Sequence, residues 1–158
     1  MRPARIAVIP SLVLLAMAWS WVATAAEGNL PRFVSLRADK VNLRAGPGVR
    51  YPINWIYLRE GLPVEVIAEF ELWRKIRDYE GTEGWVHKSL LSGRRTAIIT
   101  RSTRTLYRRP GGTVPVLRAQ AGVRGRLLAC DGKWCRMRIA GTEGWLPRKA
   151  VWGVYAAE

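Results

Sequence analysis

Trp73-Arg-Lys-Ile-Arg-Asp-Tyr-Glu-Gly-Thr-Glu-Gly-Trp85 has a counterpart in Trp134-Cys-Arg-Met-Arg-Ile-Ala-Gly-Thr-Glu-Gly-Trp145, which is one residue shorter before the shared Gly-Thr-Glu-Gly-Trp. At the shared string the offset is 60. Upstream it is 61, pairing Gly61 with Gly122, Ala68 with Ala129 and Trp73 with Trp134. Further upstream it is 63, pairing Leu43 with Leu106, Pro47 with Pro110 and Pro52 with Pro115. Offsets that drift by a residue or two at loops, with the order kept, mark two copies of one small domain. The expected organisation is a removable segment at 1–25, a linker at 26–35, a first unit at 36–100 and a more divergent second unit at 101–158.

Within each copy, short extended runs alternate with turn residues. Val41–Leu43 is broken by Ala45-Gly-Pro-Gly48, Leu62–Phe70 is rich in β-branched and apolar residues, and Trp73–Tyr79 is followed by a glycine turn into Trp85-Val-His87. In the second copy, Gly125–Cys130 and Trp134–Ile139 flank Asp131-Gly132, a strong turn signal. No stretch of useful length keeps a helical apolar stripe. Two all-β units of about 55 residues follow, each marginal alone, with closure into small barrels expected as the way to remove exposed sheet edges.

Of 158 residues, 49% are apolar and 24% charged, with eight Trp, a balance that belongs to a folded chain and leaves no room for a large enzyme core. The net charge of +14 is lopsided. Residues 36–92 hold nine Lys/Arg against eight Asp/Glu, whereas residues 93–158 hold fourteen against three. The second half should therefore attract anionic polymers or headgroups, although basic residues also serve plain solubility.

The amino end reads as an export signal: Arg2 and Arg5, then the apolar Ile6–Val22, then the small residues Ala23-Thr-Ala25, with cleavage expected before Ala26 or Glu27. The alternative is a retained anchor, since Ile6–Ala26 could cross a bilayer. Either way the chain is expected to work outside the cytoplasm, in the periplasm or secreted.

Cys130 and Cys135 bracket the Asp131–Trp134 connection, so they stand opposite each other on adjacent strands at a reach a disulfide accepts. Their counterparts Glu69 and Arg74 form an opposite-charge pair at the same cross-strand station. A structural disulfide is expected, with reduced buried thiols as the alternative. Redox or metal roles fit poorly, because the spacing is not Cys-x-x-Cys and His87 is the only His.

Val41-Asn-Leu-Arg-Ala-Gly-Pro-Gly48, Gly61-Leu-Pro-Val64, Trp73-Arg-Lys-Ile76 and Gly81-Thr-Glu-Gly-Trp-Val86, in that order, resemble the bacterial SH3-like domain of envelope proteins. The second copy departs from the pattern at Thr105-Leu-Tyr-Arg108 and keeps only Pro110-Gly-Gly112 of the first loop. The resemblance implies two tandem small SH3-like barrels, each with five strands and a turn of tight helix before the last. Lys88-Ser-Leu90 and Arg148-Lys-Ala150 fall where that turn belongs, and Arg94–Thr100 and Val151–Tyr155 would supply the closing strands. So short a link to the second copy should bring the units into contact.

Nothing organises catalysis. Pairing His87 with either Cys would cross two units, Glu83 and Glu143 lie in turns where bonding to backbone is the ordinary use, and Gly46-Pro-Gly48 lacks the residues of a nucleotide loop. No cofactor or metal is expected. The aromatics are better candidates: Tyr51, Trp55, Tyr57 and Tyr79 border the long first loop, and Trp73 and Trp134 start strands. Flat rings in a groove suit an extended peptide, although Trp73 could equally fill the core and Trp85 is the stronger core candidate. The function expected is a non-enzymatic binding module for envelope peptides, peptidoglycan or a protein partner. The alternative is an adaptor resting on anionic lipid or lipopolysaccharide through its basic second unit. Nucleic acid would suit basic barrels with stacking rings, but the export signal argues against it.

Overall fold

The computed structural model describes residues 29–156, so the expected signal segment lies outside the described residues. The first unit runs β1 (Arg32–Leu36), β2 (Val41–Arg44), β3 (Ile53–Tyr57), β4 (Pro63–Phe70), β5 (Trp73–Arg77), β6 (Glu83–His87), a 3-10 turn at Lys88–Leu90 and β7 (Leu91–Ser92). The second repeats it: β8 (Thr96–Ile99), β9 (Arg104–Tyr107), β10 (Pro115–Ala119), β11 (Arg124–Asp131), β12 (Trp134–Ile139), β13 (Thr142–Pro147), a 3-10 turn at Arg148–Ala150 and β14 (Val151–Trp152). Both tight turns fall where the resemblance put them.

Each unit is one antiparallel seven-stranded sheet, in the order β3-β2-β6-β5-β4-β1-β7 and β10-β9-β13-β12-β11-β8-β14. The expectation of closed barrels is therefore corrected: each sheet has two ends, and no ladder joins β3 to β7 or β10 to β14. The last strand is cut to two residues after the 3-10 turn and pairs on one side only, Ser92 and Leu91 with β1 and Val151 and Trp152 with β8. So short a strand cannot complete a cylinder.

Two segments pair otherwise than the sequence suggested. Arg32–Leu36, mostly within the expected linker, is a strand of the first sheet, with Val34 opposite Val64. Thr96–Ile99, expected to close the first unit, instead pairs with β11 of the second, Ile98 opposite Arg124.

Alternation fixes what each strand buries. Leu43, Val64, Val66, Ile76 and Val86 fill the first core; Ile99, Leu106, Met137, Ile139 and Leu146 fill the second. Gly84 and Gly144 explain the last invariable glycine of the repeat. A Cβ on Gly84 would lie 2.6 Å from Leu43 Cγ, and one on Gly144 2.7 Å from Leu106 Cβ, so only glycine lets the strands cross there. Trp85 and Trp145, next in the chain, stand outside both core clusters on the opposite face. In the second unit a disulfide joins Cys130 to the fully buried Cys135, which are directly opposite across β11 and β12. At the matching station of the first unit Glu69 faces Arg74. There Arg74 Nε lies 3.1 Å from Glu69 Oε1, and Arg32 also pairs with that carboxylate.

The units are clamped together. Phe33 meets Trp152 edge-on at 5.0 Å and Tyr155 at 5.3 Å, and its backbone N–H donates to the Tyr155 hydroxyl at 2.9 Å. Arg95 lies over the Tyr155 ring at 4.5 Å and donates to the Gly153 carbonyl at 2.8 Å. Ser35 Oγ donates to the Arg94 carbonyl at 2.8 Å. Burial of aromatic area between two marginal cores stabilises both, and the guanidinium over a ring adds a directional attraction.

Candidate functional site

The clamp leaves a groove of about 380 Å³ between the units, lined on the first side by Trp55, Tyr57, Arg59, Tyr79 and Glu80 and on the second by Ile98, Gly122 and Arg124. A neighbouring hollow of about 590 Å³ shares Tyr79 and Gly122 and extends past Arg101 and Lys149 to Trp152. Trp55, Tyr57 and Tyr79 are thus brought together, but in different roles. Trp55 is 56% exposed and Tyr79 39%, whereas Tyr57 is buried at 6%.

Tyr57 and Asp78 build the wall. The Tyr57 hydroxyl donates to Asp78 Oδ2 at 2.9 Å, while Asp78 Oδ1 accepts from the backbone N–H groups of Glu80 at 3.0 Å and Thr82 at 2.9 Å. A buried carboxylate is tolerable only with such partners. Here they tie down the turn that carries Tyr79 and Glu80 into the groove. Burial, followed by the hydrogen bond and charge of Asp78, raises the Tyr57 pKa far above its ordinary 10.0. Burial, followed by a hydrogen bond to Glu80, also raises that of Tyr79, whose hydroxyl donates to Glu80 Oε1 at 3.1 Å. Both phenols are therefore neutral donors at any physiological pH.

Asp78 escaped the sequence reading, although a signal existed. Counting from Trp73 and Trp134, its counterpart is the apolar Ile139, and the first copy's turn beyond it is the longer by one residue. A carboxylate where the sister copy has core, followed by an insertion, marks the place where the first unit departs from the shared frame.

Tyr51, Trp73 and Trp134 lie elsewhere. The Tyr51 ring covers Gly46, where a Cβ would come within 2.5 Å of it. Its carbonyl, with that of Val49, accepts from the Arg44 guanidinium at 2.7 and 2.9 Å, so this aromatic organises the first loop. Trp73 is half-buried on the outer sheet face, edge-on to His87 at 5.5 Å. It belongs neither to the core cluster nor to the groove. Trp134 lines a separate hollow of about 610 Å³ with Lys133, Pro147 and Arg148.

His87 caps the 3-10 turn, its Nδ1 accepting from the Ser89 N–H at 3.3 Å. The repeated turn glutamates bond to side chains rather than to backbone. Glu83 Oε2 lies 2.7 Å from Lys75 Nζ, and Glu143 pairs with Arg138, so hydrogen bonding to a cation holds each carboxyl below its usual range. Among the described residues no group of three or more His, Cys, Asp or Glu is placed to hold a metal ion. The arrangement offers rings, one carboxylate and several cations to a ligand, and no nucleophile beside a base.

The bacterial SH3 domain family matches twice, at residues 37–93 and 102–153. No curated protein matches. Among solved structures, NlpC2 from Trichomonas vaginalis is 13% identical, with 77% of this chain and 48% of that one covered and a TM-score of 0.35. NlpC1 from the same organism is 17% identical, with 80% and 47% covered and a TM-score of 0.36. The chain thus spans about half the length of the solved structures it matches. Two open sheets built on one repeated frame agree with the paired match: the chain belongs to the bacterial SH3 domain family, as a tandem pair of its domains.

Proposed function

We propose that the chain is an exported binding module that holds a short peptide of the cell envelope, of the kind found in peptidoglycan, in the groove between its two units. One observation carries this reading: the exposed rings of Trp55 and Tyr79 line the same groove as Arg59 and Arg124, at the junction of the two domains. Rings bury a peptide's apolar surface at small entropic cost, and the guanidinium groups suit its free carboxylates.

Capture of soluble peptidoglycan fragments tests it. Trp55→Ala should weaken capture about tenfold, or ~1.4 kcal/mol, with a melting temperature within a few degrees, because the ring is largely solvent-exposed. Trp73→Ala, outside the groove, should leave capture intact. Equal binding by Trp55→Ala and the parent would overturn the groove.

A second reading, an adaptor on anionic lipid, is favoured by the outward cations of the second sheet, where Arg126 stands opposite Arg138 and both are exposed. Such binding should collapse as salt rises. Export itself is checked by sequencing the amino terminus of the protein recovered from cells. Ala26 or Glu27 is expected there, and an uncleaved Met1 form in the membrane fraction would contradict it.

A further inference from the structure

We propose that the outer edge of β3 is a second docking surface, one that takes an extended, acidic-ended segment of a partner protein as an added strand. Among the described residues β3 ends its sheet and pairs only with β2, leaving alternate N–H and C=O groups along Ile53–Tyr57 without a strand partner on its outer side. Apart from the polar Asn54 and the buried Tyr57, its side chains are exposed and apolar. Ile53 and Ile56 are each 44% exposed and Leu58 71%, and no charged residue occurs from Ile53 through Leu58.

The second unit serves as an internal control. β10 occupies the equivalent edge of its sheet, yet by register carries Pro115 at the station of Ile53 and Arg118 at that of Ile56, residues that hinder strand addition, whereas the first copy's Pro52 falls one residue before β3. The duplicated frame thus keeps the guard on one copy and lacks it on the other. A bare apolar edge is a liability unless something covers it.

Charge decides the occupant. Arg50 precedes β3 and Arg59 follows it, both exposed, in a unit whose charges otherwise nearly balance. A second copy added antiparallel would set Arg50 against Arg59 at each end. A segment with an apolar middle and acidic ends would meet cations at both ends instead. The hollow along Ile53, Asn54, Trp55 and Ile56 gives its side chains a seat of about 430 Å³. Trp55 and Ile56 border both hollows, whereas Ile53 and Asn54 do not line the interdomain groove, so a change at Ile53 separates this surface from the groove reading.

The test uses the protein as purified from cells and a labelled peptide of about nine residues, alternating Val and Thr between Asp ends, with a Lys-ended form and a form with Pro at its centre. The Asp-ended peptide should bind and slow amide exchange along Ile53–Leu58. The Lys-ended and Pro-centred forms should bind at least about tenfold more weakly, as should the Asp-ended form to Ile53→Glu, a variant that keeps its capture of wall fragments. Equal binding of the three peptides, or slowed exchange only outside β3, would overturn the proposal. So would exchange along β3 already slowed by self-association without peptide.

Discussion

Tyr57 and Asp78 show how one pair of residues shapes the surface around it. The hydroxyl is one of three donors to a buried carboxylate, and the other two are the backbone groups of the turn that bears Tyr79. Tyr57→Phe removes the donor to Oδ2 without changing the ring's shape. The expected cost is about 1 to 3 kcal/mol, because the carboxylate is left under-satisfied in a buried place. The pH dependence follows from the raised pKa of Tyr57. A group that holds its proton more tightly when folded contributes its full stabilisation below the ordinary value of 10.0 and loses it as pH rises toward the folded-state value. Thermal melts at about pH 8 and about pH 11 should therefore show an alkaline loss of stability in the parent that is reduced in Tyr57→Phe. Equal losses in both would contradict the assignment. At this scale the sequence told much about glycine and tryptophan, since the repeated Gly-Thr-Glu-Gly-Trp is legible as a frame. It told little about Asp78, because a lone carboxylate ordinarily reads as surface and its burial depends on a partner more than twenty residues away.

Among the elements, the hairpin of β11 and β12 was the most legible, since Asp131-Gly132 and the flanking Cys fix its register locally. The Cys130–Cys135 bond closes a short loop, so the chain-entropy gain is only about 1 to 2 kcal/mol. The Cys130→Ser, Cys135→Ser double variant should fold with a slightly lower melting temperature and unchanged capture of wall fragments. Unfolding of the double variant at room temperature would show that the bond does more than trim an already folded hairpin. By contrast, β3 left no periodic trace, because Ile53–Ile56 are exposed on both faces and an unburied strand has no reason to alternate. The four buried residues Thr96–Ile99 posed the opposite difficulty. A continuous apolar run announces a strand but not which sheet it joins, and that choice was made by β11, far along the chain. Closure failed as an inference for a related reason. Local signals specify strands and turns, whereas the missing ladder between β3 and β7 depends on how far a two-residue strand can reach.

Over the whole molecule, the interdomain clamp sets the two copies around one groove. Neither unit alone makes the groove: Trp55 and Tyr79 come from the first, Gly122 and Arg124 from the second, and Phe33, Arg95 and Tyr155 hold the two at one spacing. Gly153 allows the close approach. Its φ of +106° is one that other residues rarely adopt, and a Cβ there would press to 3.2 Å from Pro63 Cβ. The sequence foretold contact from the short link but not its partners, because Phe33 and Tyr155 lie at opposite ends of the described chain. Whether the two domains act as one binding site is read directly from amide exchange over the full chain, with and without soluble peptidoglycan fragments. A shared site should slow exchange at Trp55–Arg59, Tyr79–Glu80 and Gly122–Arg124 together, an effect lost in Trp55→Ala and only modestly weakened by salt. Slowed exchange confined to one unit, or to the outer face of the second sheet and abolished by salt, would contradict it.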